Sequence, residues 1–198
     1  MNGQVVLAFS MSLDGFIAGP KVSVDVPMGE GGMTLHDWLF NEAPEGSDGI
    51  DARMAKEAFA AAGATVMGKR TFEVGLPQWD DTPYPVPSFV LTREPRAPLP
   101  QTSGSFTFVT DGIASAIAQA KAAAGAKDVV VMGANAAQQC LAAGLADELA
   151  IQVVPILLGD GTRLFEHIAN PPIALEQQRA VQSPFVTHLR YRVVKATR

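Results

Sequence analysis

The chain has 198 residues, with 15 Lys and Arg against 20 Asp and Glu, for a formal net charge of −5. Hydrophobic residues make up 47% and charged residues 18%, enough for a sizeable core and too apolar for intrinsic disorder. The acidic balance argues against nucleic acid or an anionic membrane as partner, and leaves open a small basic pocket for one phosphorylated ligand.

The length fits one domain over residues 1–198. The single cysteine, Cys140, forbids an intramolecular disulfide and a Cys-rich zinc site. It falls in the helical stretch AAQQCLAAG, where a buried small hydrophobe is the expected role. The N-terminal run VVLAFSMSLDGFIAG is broken by Ser, Asp and Gly, unlike a signal peptide. No apolar run reaches the roughly 18–20 residues that span a bilayer. A soluble, cytoplasmic protein is therefore expected.

Short apolar runs alternate with Ala-rich helical stretches, which predicts a layered α/β fold. The first strand is Val5 to Ser10, followed by the turn-rich SLDGFIAGP and a long loop from Pro20 to Gly32. A short amphipathic helix, TLHDWLF, precedes a polar loop from Asn41 to Gly49. The next helix runs from Asp51 to Ala62, with Ser47 or Asp48 to cap it and Gly63 to stop it. A strand from Ala64 to Met67 leads through Gly68 into a helix starting near Lys69. Pro77 to Pro87, with Trp79 and Tyr84, reads as an ordered loop over a pocket.

SFVLT and FTFVT follow as strands. Asp111 is the expected cap of the helix Gly112 to Ala124, and DVVVMG is a buried strand. The helix Asn135 to Ala143 ends at Gly144, before a strand from Glu148 to Val154. LLGDGTRLF is a Gly-rich connection, and VTHLRYRVVK alternates as a closing strand. Strands alternating with helices and then running together predict a mixed sheet with antiparallel C-terminal strands.

Three strand ends carry candidate chemistry. In VMGKRT, a strand ends at Gly68 and a helix opens, so free N–H groups and the positive end of the helix dipole face one way and suit phosphate oxygens. Lys69 and Arg70 add cations and Thr71 a hydroxyl. Cations at a helix N-terminus oppose the dipole, so an anion should offset them. VLTR places Thr92 and Arg93 beyond a second strand, where ligands sit in open α/β sheets. VMGAN, with Gly133 to Asn135, repeats the strand–glycine–helix arrangement. Neither unit is a G-x-G-x-x-G fingerprint or a Walker loop.

SLDGFIA, VMGKRT, VLTR and DEL…PILLGDGTRLF occur in this order across nearly the whole chain. Together they resemble the dihydrofolate reductase-like family, in the branch similar to the reductase domain of bifunctional riboflavin-biosynthesis enzymes. The resemblance implies a three-layer α/β/α fold with a central mixed sheet, NADPH as hydride donor, a small-molecule substrate and a homodimer. It implies that Ile17 and Ala18 lie near the nicotinamide and that Gly68, Lys69, Arg70 and Thr71 meet the phosphates. Leu91, Thr92 and Arg93 would surround the adenosine 2′-phosphate, and Gly133, Ala134, Asn135 and Ala136 would approach the pyrophosphate. The family often has consecutive glycines where this chain has Gly133-Ala134, so a methyl narrows that approach. The zinc deaminase signature H-x-E…P-C-x-x-C is absent.

The family's acidic residue on the short helix after the first loop points to Asp37 as proton donor. A solvated helix position explains Asp37 equally well. His36 reads as a surface or rim residue, since no ligand triad accompanies it and no metal is expected. Trp38 and Gln152 are candidate substrate contacts, although a core or lid role accounts for Trp38 and Trp79, and an ordinary strand position for Gln152. Asp14 in SLDG is expected to shape its turn through side-chain to backbone bonds. The resulting expectation is an NADPH-dependent reductase of a pterin- or pyrimidine-like heteroaromatic. The alternative is a nucleotide- or small-molecule-binding protein of the same fold without turnover.

Overall fold

The computed structural model describes residues 3–40, 49–166, 168 and 172–195. The predicted caps Ser47 and Asp48, and the polar loop from Asn41 apart from Gly49, lie outside them. Strand β1 (Val5–Ser12) and the short β2 (Phe16–Ala18) precede a 3-10 turn (Gly32–His36), helix α1 (Asp37–Phe40) and helix α2 (Ile50–Ala61). Next come β3 (Ala62–Gly68), α3 (Lys69–Trp79), β4 (Ser88–Leu91), β5 (Leu99–Pro100), β6 (Ser105–Val109) and α4 (Ile113–Ala124). The chain continues through β7 (Asp128–Met132), α5 (Ala134–Ala142), β8 (Glu148–Val154), β9 (Thr162–Arg163), β10 (Leu175–Gln182) and β11 (Thr187–Val193).

Nine strands form one sheet in the order β10-β11-β8-β1-β7-β3-β4-β6-β5. The strands from β8 to β6 run parallel. The closing strand β11 is antiparallel to β8 and β10 antiparallel to β11, as expected, and β5 adds an antiparallel partner at the other edge. Period-two alternation sends successive side chains to opposite faces. Val5, Leu7, Val66, Val129 and Val131 pack with Ala116, Ile117 and Cys140 of α4 and α5. Met67 and Val90 join Phe106 and Phe72 of α3 in another cluster, and Leu35, Trp38, Val154 and Val186 form a third. The result is the three-layer α/β/α dihydrofolate reductase-like fold.

Three local expectations need correction. Helix α3 runs through Pro77 to Trp79 instead of breaking into a loop there. Proline removes an amide donor and crowds the preceding turn, and here it falls in the last turn of the helix. Gly63 does not stop α2, because the chain passes at Ala62 straight into β3, which contains Gly63. What requires glycine is close packing: a Cβ there would lie 2.6 Å from Lys127 Cβ and 3.0 Å from Ala124 Cα. Asp111 makes no cap; Gly112, at φ 87, is the N-cap of α4, which has no side-chain capping bond.

Candidate functional site

A cavity of about 1560 Å³ runs along one face of the sheet and over the ends of its parallel strands. It exceeds the roughly 300–1,000 Å³ of a pocket for one small ligand. Its residues fall into a phosphate-like end, a middle segment and a buried polar wall.

At the first end, β3 delivers Gly68 to the start of α3, and β7 delivers Gly133 to the start of α5. A Cβ added at Gly68 would meet nothing within 4 Å, so open space lies against the backbone. Gly133 has φ +84, a conformation that glycine alone adopts easily. A Cβ there would lie 2.3 Å from Thr71 Oγ1, so the absence of a side chain brings the two helix starts together. Gly68, Lys69, Arg70, Thr71, Gly133 and Asn135 all line the cavity, as do Ala134 and Ala136. The Ala134 methyl also packs against the core, and Ala136 is buried within it.

The anion that the sequence demands beside Lys69 is supplied within the chain. Its Nζ lies 2.9 Å from Glu94 Oε2 and 3.8 Å from Glu73 Oε1, and Arg96 joins both carboxylates. Lys69 and Arg96 hold the exposed Glu94 carboxyl below its ordinary range. Arg70 instead donates to the carbonyl of Val22 at 3.2 Å, and Gln78 donates to the carbonyl of Val24 at 3.2 Å. Helix α3 thus holds the long loop that follows β2. Leu91, Thr92 and Arg93 line the cavity, and Arg93 is exposed with no partner among the described residues.

In the middle segment, the buried Ile17 and the half-buried Ala18 line the cavity from β2. β2 is fixed to the connection after β8. Ala18 pairs with Thr162, and a Cβ on Gly161 would lie 2.1 Å from the Ala18 carbonyl oxygen. Asp14 accepts from the amides of Leu158 at 3.1 Å and Gly159 at 2.8 Å, and from the Ser12 hydroxyl at 2.6 Å. These bonds, Ser12's first among them, lower its carboxyl pKa to about 2. Its side chain therefore bonds backbone as expected, but that of the distant LLGDG segment.

At the other end, Trp38 is buried and lines the cavity, and its indole Nε1–H donates to Ser10 Oγ at 2.9 Å. Asp37, the expected proton donor, is exposed and is not among the lining residues, although its neighbours His36 and Trp38 are. His36 does line the cavity, and burial pushes its imidazole below the usual pKa of 6.5, favouring the neutral ring. Gln152 lines the cavity from β8. Trp79 and Tyr84 also border it; Trp79 stacks on Phe106, and Tyr84 meets Phe59 at a tilt.

Sequence reasoning missed His188. It is 3% exposed, borders the cavity, and its Nε2 lies 2.7 Å from Asp51 Oδ1 on α2. The pair is 137 residues apart in sequence, so no local spacing announces it. The available signal is a histidine at an inward position of an alternating strand.

Residues 4–188 match the family described as the RibD C-terminal domain. The chain is 26% identical over 176 residues to the uncharacterized protein YwjB of Bacillus subtilis strain 168, covering 86% of this chain and 87% of that one. A solved structure of a candidate riboflavin-biosynthesis protein from Shewanella sp. PV-4 is 25% identical, with TM-score 0.72, covering 98% of this chain and all of that one. Dihydrofolate reductase from Enterococcus faecalis, complexed with NADP(H), shares the fold at 15% identity and TM-score 0.62, over 98% of this chain and 100% of that one. With the family match spanning nearly the whole chain, the protein belongs to the RibD C-terminal domain family.

Proposed function

We propose that this chain is an NADPH-dependent reductase that passes a hydride to a small pterin- or pyrimidine-like heteroaromatic. The observation that carries the reading is the pair of glycine-gated helix starts, Gly68–α3 and Gly133–α5, meeting at one end of the cavity. Two helix N-termini with bare backbone between them fit a pyrophosphate, and the Ala134 methyl, packed on the core, is compatible with that cradle. The family membership and the NADP(H) complex of the E. faecalis enzyme support the same cofactor.

In this reading Gly68, Lys69, Arg70, Thr71 and Gly133 to Ala136 hold the phosphates. Leu91, Thr92 and Arg93 receive the adenosine 2′-phosphate, and Ile17 and Ala18 back the nicotinamide. Once bound, the cofactor supplies the hydride, which is its own chemistry. The protein's part is to bind, orient and exclude water. Arg93 offers a guanidinium fork suited to a phosphate monoester. The Asp14 bonds and the Gly161–Ala18 contact hold β2 at a fixed place on the cavity wall. Trp38, Tyr84 and Trp79 give that wall aromatic surface.

Fluorescence titration with NADPH and NADH tests the cofactor. Tighter binding of NADPH is expected, and failure of both to bind overturns the reading. Oxidation of bound NADPH across a panel of pterins and pyrimidinediones then tests turnover. Tight binding without oxidation by any panel member would leave a binding protein instead.

A further inference from the structure

Lys69, Glu73, Glu94 and Arg96 form a closed ring of charge at the phosphate-like end of the cavity. Lys69 Nζ lies 2.9 Å from Glu94 Oε2 and 3.8 Å from Glu73 Oε1, and Arg96 Nη2 lies 3.3 Å and 3.0 Å from the same two oxygens. Two cations thus share two carboxylate oxygens, and the ring is neutral. Helix α3 and the segment after β4 build it. Lys69 and Glu73 stand one turn apart on α3 and so face the same way. The N–H of Glu94 donates to Thr92 Oγ1 at 3.0 Å, which fixes the turn that follows β4. Arg96 comes two residues later and lays its guanidinium over the Phe108 ring of β6, 5.6 Å from the centroid. Phe108 in turn meets Phe72 of α3 edge-on.

The two cations differ in what they border. Lys69 and Glu94 line the cavity, whereas Arg96 and Glu73 do not. A ligand in the cavity therefore meets Lys69 and not Arg96. When Lys69 turns to a phosphate, the carboxylates lose one of two counter-ions and gain an anion as neighbour, and like charges at close range repel. Arg96 is suited to absorb that change. Both of its bonds use Nη2, and a guanidinium carries five N–H donors in a fixed fork, so Nη1 and Nε remain to take the oxygens that Lys69 gives up. The lysine ammonium is a point charge on a flexible stem, which moves between partners easily. Lys69 first, and Arg96 after it, hold the Glu94 carboxyl below its ordinary range, so both cations already act on this one group.

We propose that Arg96 is a positioning residue that frees Lys69 for a ligand phosphate, because Glu94 passes from Lys69 to Arg96 as the phosphate arrives. Arg96 touches no ligand and acts through Glu94. The ring keeps Lys69 paired until an anion competes for it, and Arg96 sets how readily the carboxylates let it go. The identity of that anion as NADPH rests on the reductase reading; the exchange itself needs only a phosphate-bearing group at Lys69. A distinctive response to salt follows. Salt weakens the Lys69–Glu94 pair and the Lys69–phosphate pair together, so the two losses partly cancel in the affinity.

In the test, NADPH and, separately, inorganic pyrophosphate are titrated into the parent chain, Arg96→Met, Glu94→Gln and the double variant. Methionine keeps an apolar stem against Phe108 while removing the charge. Arg96→Met is expected to weaken both ligands about two- to fivefold, the scale of an exposed pair. Most of that loss should vanish in the Glu94→Gln background, because the carboxylate that needs Arg96 is then gone. The affinity of Glu94→Gln should fall more steeply with salt than that of the parent. Glutamate labelled with 13C at the side-chain carboxyl gives a second readout. At saturating ligand the Glu94 carboxyl should stay ionised to low pH where Arg96 is present, and titrate at higher pH in Arg96→Met. The proposal is overturned by parent affinity in Arg96→Met, by an equal loss in both backgrounds, or by a Glu94 titration that ligand leaves unmoved in Arg96→Met. Failure of both ligands to bind at millimolar concentration overturns it as well. The full pattern with pyrophosphate and no binding of NADPH would overturn the reductase reading and leave the exchange standing.

Discussion

Around Gly68 and Gly133 the cavity is bounded by backbone and by exposed ions: Lys69 is 35% and Glu94 63% exposed. Around His188 it is bounded by buried side chains, with His188 3% and Asp51 12% exposed. The first end meets water, where an ion pair is worth about 0–1 kcal/mol, so its charges can exchange partners cheaply. At the second end the His188–Asp51 pair is buried, and a buried hydrogen bond has fewer permitted arrangements than an exposed ion pair. Exchangeable charges at one end and buried hydrogen-bonding groups at the other are the division that the proposed reading asks of a cofactor end and a substrate end.

The largest effect expected is at the glycine that makes the first end possible. Gly133→Ala combines a backbone strain of about 1–3 kcal/mol at positive φ with the clash on Thr71. It should abolish NADPH binding in the fluorescence titration and lower the melting temperature. A mutant that binds normally would show that the two helix starts do not form one cradle.

Arg93→Ala comes next and separates the ligand's phosphates. Loss of a charge-assisted contact of about 1.5–3 kcal/mol should weaken NADPH at least tenfold and spare NADH. Equal weakening of both would move Arg93 away from the 2′-phosphate. Glu94→Gln should act in the opposite sense. Freeing Lys69 from an exposed pair is expected to strengthen NADPH by about two- to fivefold, an effect that shrinks as salt is raised. If NADPH affinity falls instead, the Glu94 cluster organises the site and does not compete with the phosphate.

The smallest effect belongs to His36, which lines the second end beside Trp38. Burial lowers its folded pKa below 6.5, so below that pH the unfolded chain binds more protons. Stability from this group is complete above pH 6.5 and is lost as pH falls from there toward the folded pKa. Urea unfolding at pH 7.5 and 5.5 should show a smaller drop for His36→Gln than for the parent. An identical drop would mean that the imidazole titrates freely.

Most of the first end was legible because its signals are local. An apolar run, a glycine and a polar helix start are adjacent in sequence, and VMGKRT and VMGAN each carry all three. The second end was only half legible. Trp38 and Gln152 could be named, but Ser10 and His188 become partners of Gln152 only through strand register. Asp37 could be named from its place beside Trp38, but the carboxylate that meets His188, Asp51, lies one helix later and 137 residues from its partner, so no local pattern announces it. The strand β10 left no trace because an edge strand with one solvated face needs no apolar alternation; LEQQRAVQ has no buried residue. Gly63 misled because a glycine after an Ala-rich run normally ends a helix, while packing against Ala124 and Lys127 is invisible along the chain.

Helix α2 buries none of its residues, and among its ties to the sheet are the pairs Asp51–His188 and Glu57–Arg179. Detaching it would expose no fully buried side chain, only partial contacts such as Ala55 on the Leu35–Trp38 cluster and Phe59 on Tyr84, so this helix should open at a fraction of the cost of global unfolding and exchange its amides early. Because Asp51 travels with it, each opening would also release the His188 ring. The buried Asp51–His188 pair and the outer helix would then open as one unit, and variation along the outer face of α2 could retune that rate without touching the core.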